Sequence, residues 1–278
     1  MHHLKVVVCA LLSGIPVFAQ MQPVVSGEQG NGSVDWSTRT IVATGIGAPN
    51  PDLPEAARRP AAIRAAQQIA LRNALETIKG IFLNSSTTVQ NFMVSNDVVS
   101  SSVSGYLKGF EQEGHTKYMS DGSVEISMKV PLDGVGGIGE MLLGKSIGDE
   151  PAISKFEGTK AKTEQIFTGL IINCKGLSIK PALSPRVLDE SGREVYGSAY
   201  VAREWAIKYG VVGYAKEVAA AAKLADRIGK TPGQVKGLKA HGSNSTDVVI
   251  SNDDAADIRS AAKNLKFLSE CRVIFVVD

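Results

Sequence analysis

The chain has 278 residues, enough for one large domain or two small ones. With 44% hydrophobic and 21% charged residues it is globular rather than disordered, and 30 basic against 28 acidic residues leave a formal charge of +2. That balance supplies no overall field for nucleic acid or an anionic membrane, and nucleic acid is not expected as a partner.

MHHLK, with Lys5 as its firm positive charge, precedes VVVCALLSGIPVF, an apolar run of signal-peptide length that is too short to span a bilayer. Val17 and Ala19 stand at the −3 and −1 positions of a cleavage site before Gln20. Residues 1–19 are therefore read as a signal peptide and residues 20–34 as a flexible, Gly-rich leader. The expected product is exported, periplasmic or outer-membrane-associated, with no transmembrane span after cleavage. Cys9 follows Val8 rather than a small residue, which does not suit lipidation. Export also weakens the case for ATP or NAD, which are cytoplasmic cofactors.

Arg39 to Gly47 (RTIVATGIG) reads as a strand, with Ile41, Ala43 and Gly45 alternating against Thr40, Val42 and Thr44. A Pro-rich turn follows, then a helix starting near Pro60 and running to about Lys79, with Gly80 as its stop. The ladder Ala62, Ala66, Ala70, Ala74, Ile78 makes a smooth ridge that lets this helix lie close on a sheet. Residues 81–106 hold a short strand and a helix or turn around Asn96 to Val103. Leu107 to Tyr118 and Ser123 to Pro131 form a hairpin about Ser120-Asp121-Gly122, with one wet face. Residues 35–132 thus make one α/β domain, and residues 133–162, Gly-rich and then charged, a linker. In the second domain, residues 163–278, Phe167 to Cys174 is a buried central strand and Ser198 to about Ile228 is mostly helical, with a break at Gly210 and Gly213. Short strands fall at Val235 to Ala240 and Asp247 to Ile250, a helix at Ser251 to Leu265, and a last apolar strand at Arg272 to Val277. The fold class is α/β (α+β): two small domains, each a short mixed or antiparallel sheet packed by helices.

Three stretches carry a resemblance: DWSTRTIVATGIGAPNP (Asp35 to Pro51), AARRPAAIRAAQQIALRNALETIKGI (Ala56 to Ile81) and SDGSVEISMKVPL (Ser120 to Leu132). Together they resemble the domain shared by small outer-membrane lipoproteins and the flagellar proteins FlgP and FlgT. The resemblance covers about a third of the chain. It implies a non-enzymatic envelope protein that builds or supports rings around a flagellar motor, and no catalytic residue. The sequence departs from that group in having no lipobox.

GVGGIGEMLLGKS (Gly134 to Ser146) matches two nucleotide patterns at once. Gly134, Gly136 and Gly139 satisfy G-x-G-x-x-G, while Gly139, Gly144, Lys145 and Ser146 satisfy the P-loop pattern. The preceding strand is a hairpin arm, however, and no second parallel strand ending in an acid follows. Glu140 to Leu143 is a helix-forming run with a negative charge where phosphate would sit. Gly134, Gly136, Gly137 and Gly139 are read instead as an inter-domain hinge.

Cys174 and Cys271 survive cleavage, and export permits a disulfide between them; two buried thiols in neighbouring core strands are the alternative. Tyr200, Trp205 and Tyr209, near helical spacing, either line a groove or partner interface or pack a core. Ser251 to Asp257 is explained by helix capping rather than calcium. His115 and His241 have no metal-ligand spacing, and Glu111 with Glu113 suits a solvated strand face. No catalytic, cofactor or metal set is expected. The function expected is protein–protein assembly, with itself as a homo-oligomer or with envelope proteins; a module holding a small ligand or glycan between its domains is the alternative.

Overall fold

The computed structural model describes residues 22–27, 31–109, 112–144, 147, 151, 166–260 and 262–278. The expected signal peptide, Glu111, Lys145, Ser146 and most of the charged linker lie outside these residues. The fold is mixed α/β with several small sheets, and no described helix is long and apolar enough to cross a membrane.

The first unit is an antiparallel sheet of β1 (Val25–Ser26), β2 (Gly32–Asp35), β3 (Thr40–Gly47), β4 (Gln112–Tyr118) and β5 (Val124–Pro131), in the order β1-β2-β3-β5-β4. On β3 the alternation falls as expected: Ile41, Ala43, Gly45 and Gly47 are buried, while the residues between them are half-buried or exposed. The buried side meets α1 (Glu55–Lys79), whose ladder Ala62, Ala66, Ala70, Ala74 and Ile78 is fully buried. Small residues face small residues here, so helix and strand backbones nearly touch. Asn73 Nδ2 ties the two by donating to the Thr44 carbonyl at 2.7 Å. The helix begins at Glu55, before the expected start, and Pro60 lies inside it. A proline so near the N-terminus removes one hydrogen bond without ending the helix. Arg58 secures that first turn by donating to the Leu53 and Pro51 carbonyls, both at 2.9 Å.

Two helices, α2 (Val89–Val94) and α3 (Asp97–Lys108), follow, with Thr88 and Asn96 as side-chain caps. Leu107, expected in a strand, closes α3 as a buried core residue. The turn between β4 and β5 is as read, with Gly122 at φ 81° and Ser123 bonded to Asp121. Residues after β5 turn into α4 (Ile138–Leu143).

The second unit holds β6 (Leu170–Asn173), β7 (Val187–Leu188), β8 (Glu194–Tyr196), α5 (Arg203–Tyr209), β9 (Gly213–Ala215), α6 (Val218–Ala222) and α7 (Ala225–Ile228). It continues through β10 (Gly233–Lys236), β11 (Lys239–His241), β12 (Asp247–Val249), α8 (Asn252–Ser260), α9 (Ala262–Ser269) and β13 (Val273–Val276). One sheet, β10-β6-β13-β9, is wholly parallel, with β6 and β13 buried at its centre. The other, β11-β12-β7-β8, is mixed. The mostly helical segment breaks at Gly210 and Gly213, as read: Gly210, at φ 70°, ends α5, and Gly213 to Ala215 form a strand that pairs with β13, which was not expected. The expected strand Val235 to Ala240 is likewise two strands in different sheets, bent at Gly237.

The two units share one hydrophobic core. Trp36, Ile41, Leu132 and Ile138 from the first belong to the same buried cluster as Leu170, Tyr214 and Phe275 from the second. Trp36 stands edge-on to Tyr214 at 5.4 Å, and Tyr214 edge-on to Phe275 at 6.0 Å, near the geometry aromatic pairs prefer. Backbone bonds cross elsewhere: Leu183 and Ser184 donate to the Phe82 and Leu83 carbonyls at 3.0 and 2.8 Å. Asn244 donates from its backbone and side chain to the Ser85 and Asn84 carbonyls.

Candidate functional site

A cavity of about 800 Å³ opens where the units meet. Its lining includes Val34, Trp36 and Ile81 from the first unit's core side, Asn73, Glu76 and Thr77 from α1, and Lys180 and Pro181 from the second unit. That volume suits a small organic ligand. The Trp36 indole N–H is already satisfied by Ser26 Oγ at 2.7 Å, so the ring offers an apolar wall. The Thr77 hydroxyl donates to the Asn73 carbonyl at 2.8 Å. Glu76 is exposed and paired with Lys79 at 2.9 Å, and Lys180 lies over the Phe82 ring at 5.5 Å. The chemistry is that of a container: apolar walls, fixed amides and hydroxyls, and charges of both signs at the rim.

Of the aromatic trio, the structure brings two together. Trp205 and Tyr209 stack on α5, with ring centroids 5.7 Å apart, both half-buried. Lys208 Nζ lies 5.6 Å from one ring and 5.0 Å from the other. Tyr209 also lines a second, smaller groove of about 480 Å³. Tyr200 is apart from them in a short 3₁₀ turn, its ring under the Arg259 guanidinium at 4.9 Å.

The glycine string forms a bonded corner rather than an open linker. Gly134 N–H donates to the Ile207 carbonyl at 2.8 Å, Gly136 N–H to Glu140 Oε2 at 2.6 Å, and Gly139 N–H to the Leu132 carbonyl at 2.7 Å. Gly137 and Gly139 are buried, while Gly134 and Gly136 adopt φ of 100° and 75°, which is why glycine stands there. Glu140 to Leu143 is helical as expected, which removes the curled loop that a P-loop requires. Arg203 of the second unit holds this corner through the Gly144 carbonyl and lies 3.7 Å from Glu140.

Of the two readings of the cysteines, the structure has the buried thiols on neighbouring core strands and not the possible disulfide. Cys174 and Cys271 are both buried and free. Cys174 follows the C-terminal end of β6, and Cys271 precedes the N-terminal end of its parallel neighbour β13. The register Leu170↔Val273 puts them at opposite ends of the sheet, roughly 20 Å apart along the strands, where a bridge needs Cα atoms within about 7 Å. Burial pushes each thiol up to about 12.

Other expectations resolve into structure. Ser251 Oγ accepts from Asp254 N–H at 3.1 Å and donates to the Asp254 carboxylate at 2.6 Å, the capping of α8. His115 and His241 are exposed on separate strands, and Glu113 pairs with Lys129 across the sheet at 3.4 Å. Among the described residues no group of three or more His, Cys, Asp or Glu side chains is placed to hold a metal. Asp278, at the end of the last apolar strand, accepts from Gly176 N–H at 2.9 Å. What sequence reasoning missed is a set of buried charges: Arg39 at the seam, Arg259 donating to the Val195 carbonyl at 2.7 Å, and Asp247 receiving Arg186. Arginine carries no periodic signal that separates a solvated one from a buried one.

The parts define a mixed α/β protein of two units with concave surfaces where they join. Residues 169–278 match the family model described as Treponema pallidum Tp0624, second domain. The similarity begins beside β6 and spans about two fifths of the chain, so it concerns the second unit and lies outside the stretches that carry the flagellar and lipoprotein resemblance. No curated protein matches the chain.

Proposed function

We propose that this is a non-enzymatic, exported cell-envelope protein that acts through protein–protein assembly. It is periplasmic or outer-membrane-associated, and its setting is a flagellar-associated ring or an outer-membrane scaffold. The resemblance of the first unit supports this setting, and the signal-peptide layout supports the address. The observation that carries the assembly reading is the first unit's sheet. Its order ends in two unlike strands, β1 and β4, neither paired further among the described residues. Open edges are templates for pairing with another chain, and unlike edges meeting head to tail give a heterologous contact, which forms a ring when its rotation closes and a filament when it does not. Light scattering on the mature chain during size-exclusion chromatography tests this. A closed oligomer is expected, and a strict monomer at high concentration sinks the reading.

A second reading, a module that holds a small ligand or glycan between its units, is favoured by the cavity of about 800 Å³ around Trp36. Native mass spectrometry checks it: the protein is expected to retain a small molecule, released when the Trp36 wall is cut back by W36A. Finding each protein at its own bare mass, with nothing bound to either, would remove it.

A further inference from the structure

The smaller groove, about 480 Å³, is lined by Arg39, Lys208, Lys223 and Arg227 against two carboxylates, Asp133 and Asp226. Arg39 is the unusual member. Its side chain is only 10% exposed, and its Nε and Nη2 donate to the two oxygens of Asp133, both at 2.8 Å. The third nitrogen, Nη1, is buried without a hydrogen-bond partner. An ionised donor left unmatched under such burial is costly, so a fold keeps one there only when something offsets it.

The surroundings hold this guanidinium in place. Arg39 has φ 55°, the left-handed region that non-glycine residues seldom adopt. Its Cζ lies 5.4 Å from the centre of the Trp36 ring. On another side it rests on Gly210, where an added Cβ would come within 2.1 Å of Nη2. A second guanidinium deepens the excess of positive charge. Arg227 donates to the carbonyls of Tyr209, Gly210 and Val273 at 2.5, 3.1 and 3.3 Å, partners that carry no full charge. Burial and then the neighbouring Arg39 charge hold Arg227 below its ordinary value. Burial also works against the Arg39 charge, but Asp133 outweighs it and the net direction is upward. One carboxylate, Asp133, therefore sits among two crowded guanidiniums, while Lys208, Lys223 and the second carboxylate, Asp226, are exposed on the rim. Thr38 and Thr40 add hydroxyls to the same lining.

We propose that this groove binds a small ligand through an oxyanion, a phosphate or carboxylate group received by Arg39 Nη1 and flanked by Lys208 and Lys223. The anion supplies the missing partner of the guanidinium and neutralises the excess charge, while the Tyr209 ring forms a wall for the rest of the ligand. The site is separate from the larger cavity, and it does not depend on the oligomeric state proposed above.

The test uses the full chain, with inorganic phosphate in one arm and succinate in the other, each against sodium chloride at equal ionic strength. Binding to the folded state raises the melting temperature saturably. A saturable rise with either anion is expected, and the arm that responds says whether phosphate or carboxylate is preferred. K208Q/K223Q removes two rim charges from exposed positions and is expected to weaken the apparent affinity about ten-fold without moving the melting temperature of the unliganded protein. R39K keeps a charge for Asp133 but has no Nη1, and is expected to weaken binding at least as much. Should R39K fail to fold, the lysine variant decides. No saturable rise in either arm, a rise unchanged in K208Q/K223Q, or full affinity in a folded R39K would each overturn the proposal.

Discussion

Gly45 and Gly47 decide how near α1 lies to β3. A Cβ on Gly45 would stand 2.1 Å from the Ala66 carbonyl oxygen and 2.3 Å from the Ala70 nitrogen, and one on Gly47 would stand 2.0 Å from the Ala62 carbonyl oxygen. These are backbone atoms of a packed helix and cannot rotate aside, so even a methyl group forces the two elements apart. G45A is expected to destabilise the protein by about 1–3 kcal/mol, the cost of overfilling a packed interface. Gly105, exposed in α3 with nothing within 4 Å of an added Cβ, is the contrasting residue. G105A should stabilise by roughly 0.5–1 kcal/mol through helix propensity alone. Urea denaturation of the two variants checks both signs, and equal midpoints would contradict the close approach.

At the scale of elements, the parallel register of β6 and β13 explains why the thiols stay apart and also sets a pH dependence. Each buried thiol titrates near 12 when folded, against an ordinary value of 9.0 when exposed. Between those values the unfolded chain has lost protons that the folded chain keeps, so stability is full below pH 9 and falls as pH rises towards 12. The slope is about 1.4 kcal/mol per pH unit for each thiol that remains protonated. C174A/C271A should therefore show a shallower loss of stability above pH 9 in alkaline denaturation, and an unchanged slope would refute the assignment. The same elements show what was legible beforehand. The Ala ladder of α1 and the alternation on β3 and β5 could be read because each buries one side over many residues. β9 and β11, three residues each, are too short to show a period and take their strand form from neighbours distant in sequence. β6 and β13 were legible as strands, but their parallel direction, which separates the cysteines, leaves no mark on either strand alone. At the candidate sites, Trp205 and Tyr209 were legible as a pair on one helix, but Arg39 was not, since only its tertiary surroundings bury it.

For the whole molecule, the question is whether two units made of different sheets behave as two bodies. Trp36 belongs to the first unit's sheet side, yet it is 1% exposed because Tyr214 and the second unit's core cover it. Arg39, bonded to Asp133, rests on Gly210 on the far side of the seam. Neither unit can unfold without uncovering the other's aromatics, and burial of that kind is the largest favourable contribution to folding. One cooperative transition is therefore expected in scanning calorimetry, with the calorimetric and van't Hoff enthalpies equal. W36A tests the coupling: truncating a large buried aromatic costs about 3–5 kcal/mol. A domain of a few hundred residues responds by about 2–4 °C per kcal/mol, so the whole transition should move down by several degrees and remain single. If W36A instead split the curve, lowering one part and leaving the other in place, the shared core would be a contact between independent domains. The glycine corner at Gly134 to Gly139 would then be free to serve as the hinge that the sequence suggests.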